Sequence, residues 1–360
     1  MNPERATLGN WRTAPYNRWA FHHVRELIPT ADIANDPYRI RDFTHAPHEL
    51  ALERFLAETD TDGVAILHRG RLVFERYANG MTAETPHILM SVSKSMLGLL
   101  FGELGLDERR LATDILPELK GTAYERATLR HLLDMRAGIA FDEDYLATSG
   151  PIVDYRKATG WNPLAPGETP SDLHSFYKVL SKKDGEHGGR FHYVSPNTDL
   201  LGWLIERATG ARYAELMSER LWKPIGAERS AYITVDRLGA PRAAGGMCVT
   251  LRDLARVGQW MIERASPWLD DIEKNGDRAA WQAGSFTELF PGPIHYRSQW
   301  YVLHDASPLL FGFGIHGQHL FVDRRNALVI AKLSSQSQPL DTAKIHLTLK
   351  TAAAIREALA

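Results

Sequence analysis

Residues 91–106 read SVSKSMLGLLFGELGL. The apolar residues in this stretch are dense and follow helical spacing, and Gly105 with Asp107 closes the run. The pattern predicts a buried α-helix that begins at or near Ser91. Ser91 and Lys94 are three residues apart, so their side chains would share one face of that helix, with Cβ atoms about 5–6 Å apart.

This serine and lysine have the chemistry of a nucleophile and its base. A serine hydroxyl reacts readily only when a neighbouring base takes its proton. Lysine can be that base only if burial brings its pKa down from about 10.4. Because S-x-x-K occurs about once by chance in a chain of this length, the alternative is a helix-start serine with a solvated lysine. The apolar neighbours of Lys94 favour the catalytic interpretation.

Tyr193 is a candidate partner for this pair. It lies two residues before Ser195-Pro196, which has the composition of a helix start with Ser195 as the N-cap. A tyrosine hydroxyl at this place could carry a proton between Lys94, Ser91 and a leaving group. The alternative is a buried tyrosine that makes one structural hydrogen bond.

The second candidate partner is the segment 311–318, FGFGIHGQ. Glycines within strand-like sequence indicate that a backbone or a ligand approaches closely. A strand edge there could offer a backbone N–H to an oxyanion, as could the Ser91 N–H at the helix start. His316 in this segment is either a structural, hydrogen-bonded histidine or a proton-transfer group.

Other patterns narrow the chemistry further. The chain has no G-x-S-x-G elbow, H-E-x-x-H motif, Walker loop or dinucleotide-binding G-x-G-x-x-G. Its 15 histidines lack metal-ligand spacing, and we expect His22-His23 at the surface. The single cysteine, Cys248, cannot form an internal disulfide, and we expect it buried beside Gly245-Gly246. We expect no metal and no cofactor.

Charge and hydropathy exclude two classes of partner. The 360 residues carry 42 Lys and Arg against 44 Asp and Glu, a formal net charge of −2. Without a basic excess or a long basic run, we expect no nucleic-acid or membrane-surface partner. The N-terminus has no apolar signal region and no run is long enough for a membrane helix, so we expect a soluble, cytoplasmic protein. A homodimer is left open.

The order of strand and helix patterns predicts the α+β class. A hairpin is predicted at 63–78, and further strands are predicted at 300–305, 309–315, 318–323 and 327–334. Helices are predicted at 50–56, 198–208, 213–222, 250–264 and 342–359. We therefore expect one antiparallel sheet built from both chain ends. The expected sheet domain is 1–106 with 225–360, the mostly helical subdomain is 107–224, and the active site lies between them.

In these features the chain resembles the serine β-lactamase and penicillin-binding-protein superfamily, whose members carry S-x-x-K, then a tyrosine loop, then a glycine-bearing strand. The spacing is similar to the class C branch. More narrowly, the chain resembles the 6-aminohexanoate-dimer (nylon-oligomer) hydrolases almost end to end. The matching stretches are 14–21, Met90 to Ser95, 142–145, Ser195 with 197–199, 314–318 and 332–335. The resemblance implies the β-lactamase-like fold.

The resemblance also implies roles for individual residues. It makes Ser91 the nucleophile, Lys94 the base and Tyr193 the proton-transfer tyrosine. It places the oxyanion between the backbone N–H groups of Ser91 and Ile315, and it sets Tyr145 against the leaving nitrogen of an amide. Further substrate contacts are expected from Asn197, Tyr301 and His316.

Departures from the family pattern limit the expected activity. The Y-x-N motif is Tyr193-Val-Ser195 here, and Gly312 to Gly314 take the place of K-T-G without its lysine. Arg156, with Asp154 beside it, stands where the amino end of a nylon dimer would lie, and it would repel an ammonium group. We expect a serine hydrolase of carboxylic esters and small linear amides. The alternatives are a β-lactamase or D-Ala-D-Ala peptidase, and a non-catalytic binding protein.

Overall fold

The computed structural model describes residues 5–359 and arranges their strands in two sheets. Residues 1–4 and 360, at the outer ends of the predicted sheet domain, lie outside the described residues. The strands are β1 (Thr30–Ile33), β2 (Thr44–His45), β3 (Thr61–His68), β4 (Arg71–Tyr77), β5 (His87–Ile88), β6 (Ala231–Thr234), β7 (Met247–Val249), β8 (Ile294–Arg297), β9 (Trp300–His304), β10 (Pro308–Gly314), β11 (Gln318–Asp323) and β12 (Leu328–Ser334).

The larger sheet confirms that strands from both chain ends pair. It has eight strands in the order β2-β4-β3-β12-β11-β10-β9-β8. Its central pair joins the early strand β3 to the late strand β12, in antiparallel register with Ala65 opposite Ala331. The predicted hairpin is also present, because Arg69 and Gly70 both have positive φ and close a two-residue turn between β3 and β4.

The expectation of one sheet is wrong. A second sheet has four strands in the order β1-β6-β7-β5. These strands are two to four residues long, so they are too short to show an alternating pattern in the sequence. The strand β8 at the edge of the larger sheet was likewise not predicted.

Helices surround both sheets. They are α1 (Tyr16–Ala20), α2 (Glu53–Glu58), α3 (Val92–Leu104), α4 (Leu129–Leu133), α5 (Pro151–Ala158), α6 (Leu173–Tyr177), α7 (Ser195–Thr209), α8 (Tyr213–Met217), α9 (Leu251–Glu263), α10 (Pro267–Lys274), α11 (Arg278–Gln282) and α12 (Thr342–Ala358). Residues 107–224, the predicted helical subdomain, contain α4 to α8 and isolated β-bridges, and the division into domains stays a prediction. No helix within residues 5–359 is long and apolar enough to cross a membrane.

Two helices begin three residues away from their predicted starts, and α8 ends at Met217, five residues before its predicted end. α7 begins at Ser195 with Val194 as its N-cap, because the Ser195 hydroxyl accepts a hydrogen bond from Lys94 instead of capping the helix. α2 begins three residues later than predicted, at Glu53, and the N-cap residue Leu52 makes no side-chain cap hydrogen bond.

Helix α3 is buried on all sides, and close contacts fix its position. A Cβ on Gly312 of β10 would lie 2.8 Å from Ser95 Oγ, so the strand backbone packs directly on the helix. Ser95 Oγ donates a hydrogen bond of 2.9 Å to the Gln299 carbonyl, and its own carbonyl accepts one of 3.1 Å from Trp300 Nε1. The helix that carries Ser91 and Lys94 is therefore held directly against β9 and β10.

We expect Gly98→Ala to lower the free energy of unfolding by about 1–3 kcal/mol, because the added methyl group would overlap the backbone carbonyl oxygen of Ser298. Urea denaturation measures this change. Gly9→Ala is the control, since a Cβ there meets only ordinary contacts, the nearest at 3.7 Å. Equal stability of the two variants would contradict this account of α3 packing.

Candidate active site

Ser91 stands where the chain turns into α3. It is the N-cap residue, and its side chain is half-buried. Met90 before it has φ +45°, a left-handed conformation that is uncommon for a non-glycine residue. Buried residues held in such conformations cluster at functional sites, where the surrounding structure maintains the strain. The turn places Ser91 at the helix start and on the wall of a cavity.

Lys94 meets three hydrogen-bond acceptors. Its Nζ lies 2.9 Å from Ser91 Oγ, 3.0 Å from Ser195 Oγ and 2.7 Å from the carbonyl oxygen of Ala244. The Ala244 carbonyl can only accept, and Ser195 Oγ can accept as well. A neutral amine can therefore give its two N–H groups to these two and keep its lone pair for the Ser91 hydroxyl.

Burial allows the neutral form of the Lys94 amine to be populated near pH 7. Lys94 is 1% exposed, and burial lowers its pKa to about 7. The carboxylates of Glu143 and Asp199 oppose this change, and Arg242 adds to it. About half of the Lys94 side chains would thus be neutral near pH 7, which is what a general base needs.

Tyr193 lies against both groups. The Lys94 Nζ is 4.9 Å from the centre of the Tyr193 ring, and the Tyr193 side chain forms a hydrogen bond with Ser91. Burial, followed by the negative charge of Glu143, raises the pKa of the Tyr193 hydroxyl well above its usual value. The residue therefore stays protonated, and its hydroxyl can pass a proton on without becoming a stable phenolate.

The end of β10 comes close to the start of α3. A Cβ on Gly314 would lie 3.0 Å from the Ser91 backbone nitrogen and 2.7 Å from the Leu89 carbonyl oxygen, so only glycine fits. Ile315 follows directly, and it lines the same cavity as Ser91. The two backbones therefore meet at one wall of the cavity, and the oxyanion hole between the Ser91 and Ile315 N–H groups stays a prediction.

The cavity in front of Ser91 is narrow and partly open to solvent, with about 390 Å³ of space between its walls. Its lining residues come from both predicted domains. They are Arg12, Met90, Ser91, Glu143, Tyr145, Ile152, Tyr155, Arg156, Trp161, Ser195, Arg242, Ala244, Gly245 and Ile315.

Among the expected substrate contacts, the structure places Tyr145 on the cavity wall, where it is half-buried and forms a side-chain hydrogen bond with Glu143. Arg156 is also on the wall. Asp154 is not, because it is exposed on α5, whereas Arg156 of the same helix is buried. The carboxylate that faces Arg156 across the cavity is therefore Glu143, and Asp154 does not offset the arginine there.

Asn197 and Tyr301 do not line the cavity. Both are buried behind it, and their surroundings explain why. The Asn197 Oδ1 accepts a hydrogen bond of 2.9 Å from Tyr124 Oη. The Tyr301 ring stacks on Phe311 with centroids 5.0 Å apart, inside an aromatic cluster. These positions suit residues that support the cavity wall better than residues that contact a substrate.

His316 is also absent from the cavity wall. It is 3% exposed, its Nδ1 lies 2.7 Å from the Gln336 carbonyl, and burial lowers its pKa to about 4. The tautomer with the proton on Nδ1 donates this bond. This position agrees with the first of the two alternatives for His316, a structural, hydrogen-bonded histidine.

Sequence reasoning missed a buried ion pair that supports the base. Arg242 and Asp199 are in direct contact, and both are almost completely buried. The Asp199 Oδ1 accepts a hydrogen bond of 2.7 Å from the Ala244 N–H, and the Ala244 carbonyl in turn accepts one from Lys94. Nothing in local sequence pairs residues 43 positions apart.

Glu143 was missed too, although it lies in the stretch 142–145 that carries the family resemblance. Its Oε2 accepts a hydrogen bond of 2.8 Å from the Ser195 N–H at the start of α7. Glu143 thus connects the loop before α5 to the residue that contacts Lys94. Among the negative charges that raise the pKa of Lys94, its carboxylate has the largest effect.

One group of side chains has the composition of a metal site. His22, Asp62 and His87 are buried, and their ligand atoms lie within 4.8 Å of one another. The expectation that His22 is at the surface is therefore wrong. The Asp62 carboxylate lies 3.1 Å from His87 Nε2 and accepts hydrogen bonds from Asn79 and Ser335. Hydrogen bonds within the protein thus account for Asp62 and His87, whereas His22 Nε2 is buried without a hydrogen-bond partner among the described residues. None of the three residues lines the cavity.

We expect Asp199→Ala to destabilise the fold by about 3–5 kcal/mol, because it leaves the buried Arg242 without its counter-charge. Urea or thermal denaturation measures the loss. Arg237→Gln is the control, since it breaks a pair with Asp172 in which the arginine side chain is 49% exposed, and we expect a loss below about 1 kcal/mol. Similar losses for both variants would refute the structural importance of the buried pair.

The chain is similar to known proteins along most of its length. The β-lactamase family model matches residues 51–355. The chain is 37% identical to the 6-aminohexanoate-dimer hydrolase of Paenarthrobacter ureafaciens, over 94% of this chain and 90% of that protein. A solved Bacillus anthracis structure, assigned as a 6-aminohexanoate-dimer hydrolase, superposes with a TM-score of 0.89 at 26% identity and covers 100% of this chain and 99% of its own.

A more distant likeness supports the fold alone. EstCE1, described as a hydrolase with promiscuous acyltransferase activity, superposes with a TM-score of 0.65 at 17% identity, over 84% of this chain and 98% of its own. Family, fold and enzyme class agree with what the residues around Ser91 predicted. The chain belongs to the β-lactamase family and is a serine hydrolase with the β-lactamase fold.

Proposed function

We propose that this protein hydrolyses carboxylic esters and small linear amides through an acyl-Ser91 intermediate. The observation that carries the proposal is the position of the Lys94 Nζ, 2.9 Å from Ser91 Oγ in a buried site where its pKa falls to about 7. A nucleophile within hydrogen-bond distance of a base that is partly neutral is the arrangement that acyl transfer requires.

The first half of the reaction forms the acyl-enzyme. Lys94 takes the hydroxyl proton while Ser91 Oγ attacks the substrate carbonyl carbon. The negative charge that develops on the carbonyl oxygen is stabilised by the backbone N–H groups of Ser91 and Ile315. As the bond to the leaving group breaks, Tyr193 donates its hydroxyl proton to that group and recovers one from the protonated Lys94.

The second half releases the acid. A water molecule gives its proton to the same base while its oxygen attacks the acyl carbon, and Ser91 Oγ takes back a proton as the ester bond breaks. An ester needs less help than an amide, because an alkoxide or phenoxide leaves more easily than an amine. Hydrolysis of amides depends on proton delivery by Tyr193. The similarity to 6-aminohexanoate-dimer hydrolases supports the proposed activity on amides.

The K-T-G position argues against a β-lactamase or a D-Ala-D-Ala peptidase as the main activity. β10 carries Gly312 to Gly314 there and supplies no cation for the carboxylate of a β-lactam. Nitrocefin turnover as fast as ester turnover would overturn this part of the proposal. A non-catalytic binding role would require no labelling of Ser91 by a fluorophosphonate probe.

We expect Ser91→Ala to lower kcat for a short-chain p-nitrophenyl ester by at least about a thousandfold, since no nucleophile remains. The control is Ser93→Ala in the same motif, because Ser93 Oγ bonds the Met247 N–H and does not line the cavity. Mass spectrometry of the quenched reaction should show the acyl group on the peptide that contains Ser91. Equal turnover by wild type and Ser91→Ala would refute the assignment.

We expect kcat/KM to rise with pH through a midpoint near 7. The base is active when neutral, and burial lowers the pKa of Lys94 to about 7, so the activity is low below this value and reaches a plateau above it. Glu143→Gln should move the midpoint to lower pH, because the Glu143 carboxylate raises the pKa of Lys94.

The measurement is the pH profile of ester hydrolysis in wild type and in Glu143→Gln. Glu118→Gln is the control, since it removes an exposed carboxylate outside the cavity and should leave the midpoint in place. A flat wild-type profile between about pH 5 and 9 would exclude Lys94 as the base.

A further inference from the structure

Three guanidinium groups line the cavity in front of Ser91. They belong to Arg12, Arg156 and Arg242. Each comes from a different part of the chain, so nothing in local sequence brings them together. Arginine is the side chain best suited to bind a carboxylate, because its planar fork offers parallel N–H donors.

Only one of the three has its charge balanced by an ion pair. Arg242 contacts the buried carboxylate of Asp199. Arg156 donates to two backbone carbonyls, those of Ala147 at 3.1 Å and Asp144 at 2.9 Å. Arg12 donates 2.6 Å to the side-chain oxygen of Asn162.

Neither Arg12 nor Arg156 has an ion-pair partner within 4.0 Å among residues 5–359. In addition, the Arg12 Nε is buried and has no hydrogen-bond partner among the described residues. A buried donor without a partner is costly, and it is satisfied when a ligand supplies an acceptor.

The cavity wall carries less negative charge than positive charge. Glu143 is the carboxylate among the lining residues, and its oxygens bond the Ser195 N–H and the Tyr145 side chain. Its single charge acts on Arg156 and on Arg242. Burial, and then the nearby positive charges of Arg156 and Arg242, lower the pKa of Arg12 to about 9.

The cavity is on the acyl side of the scissile bond. Tyr193, which passes the proton to the leaving group, does not line it. The Tyr193 ring instead packs against Phe286, 4.8 Å away between ring centres. The leaving group must be next to its proton donor, and Tyr145, expected beside the leaving nitrogen, is on the cavity wall with Ser91. We infer that the scissile bond lies at this end of the cavity and that the acyl chain extends from it towards the arginines.

We propose that this cavity selects acyl groups that end in a carboxylate, with Arg156 and Arg12 as the groups that bind it. The proposal rests on the proposed acyl-transfer function of Ser91 and names its substrate class: monoesters and monoamides of slender dicarboxylic acids. The proposal names unbranched chains because the cavity is narrow. An acyl chain that ends in an ammonium group, as in 6-aminohexanoate, meets like charge at the same place and is a poor substrate.

Three p-nitrophenyl esters with acyl chains of matched length test this proposal. They are the hexanoate, which is neutral, the 6-aminohexanoate, which is a cation, and the adipate monoester, which is an anion. At one ionic strength, we expect kcat/KM for the anionic ester to be at least about tenfold above that for the neutral ester, mainly through KM. The cationic ester should be the slowest of the three.

Variants locate the preference. Arg156→Gln should remove most of the advantage of the anionic ester, and Arg156→Glu should place the cationic ester above the anionic one. The matched control is Arg237→Gln, which also loses a guanidinium that bonds a backbone carbonyl but lies outside the cavity, and it should keep the wild-type order. Equal rates for the three esters, or an unchanged preference in Arg156→Gln, would overturn the proposal.

A binding measurement separates this inference from the proposed function. In the Ser91→Ala protein, free adipate should raise Tm while hexanediol at the same concentration should not, and Arg156→Gln in the same background should abolish the rise. Absence of any ester hydrolysis would refute the function of Ser91 but not the anion site. Hydrolysis that depends on Ser91, with no adipate shift, would refute the anion site alone.

Discussion

The Lys94 amine, buried within hydrogen-bond distance of Ser91, is the constraint on which the rest of this structure depends. A lysine inside a protein is unfavourable unless its donors are satisfied or its charge is lost. Here both conditions operate together. Ser195 and the Ala244 carbonyl satisfy the donors, and burial makes the neutral form accessible near pH 7. The same burial that destabilises the ammonium group gives the site its base.

Holding that amine requires rigid surroundings. The backbone of β10 approaches α3 at Gly312 and Gly314, where a side chain would not fit, and this contact fixes the helix start beside the strand end. On the other side, the Arg242–Asp199 pair fixes the Ala244 backbone. Breaking a buried pair of this kind is costly, so the carbonyl that accepts from Lys94 is held firmly in place.

The same construction leaves the cavity with an uneven charge. Arg242 is neutralised by the pair that supports the base, whereas Arg12 and Arg156 reach the cavity and bond only neutral acceptors. The catalytic groups around Ser91 match what the family resemblance implies, but the cavity wall carries charges of its own. Substrate choice can therefore differ from that of similar proteins without any change in the nucleophile or its base.

Local sequence was sufficient for several parts of the fold. The apolar run 91–106 predicted α3, and the strand-like runs after residue 300 predicted the late part of the large sheet. These elements are long and strongly patterned, so their period is visible without tertiary contacts. The strands of the second sheet are only two to four residues long, and at that length no period can be recognised.

The sequence by itself determined which residues are the candidate nucleophile, base and tyrosine, because a three-residue helical spacing and the family resemblance point to Ser91, Lys94 and Tyr193. Only the tertiary structure decided what surrounds them. It brings Asp199 to Arg242 and Glu143 to Ser195, it withdraws Asn197, Tyr301 and His316 from the cavity wall, and it gathers the arginines. These contacts join residues far apart in the chain, and the burial that shifts the pKa of Lys94 exists only once they have formed.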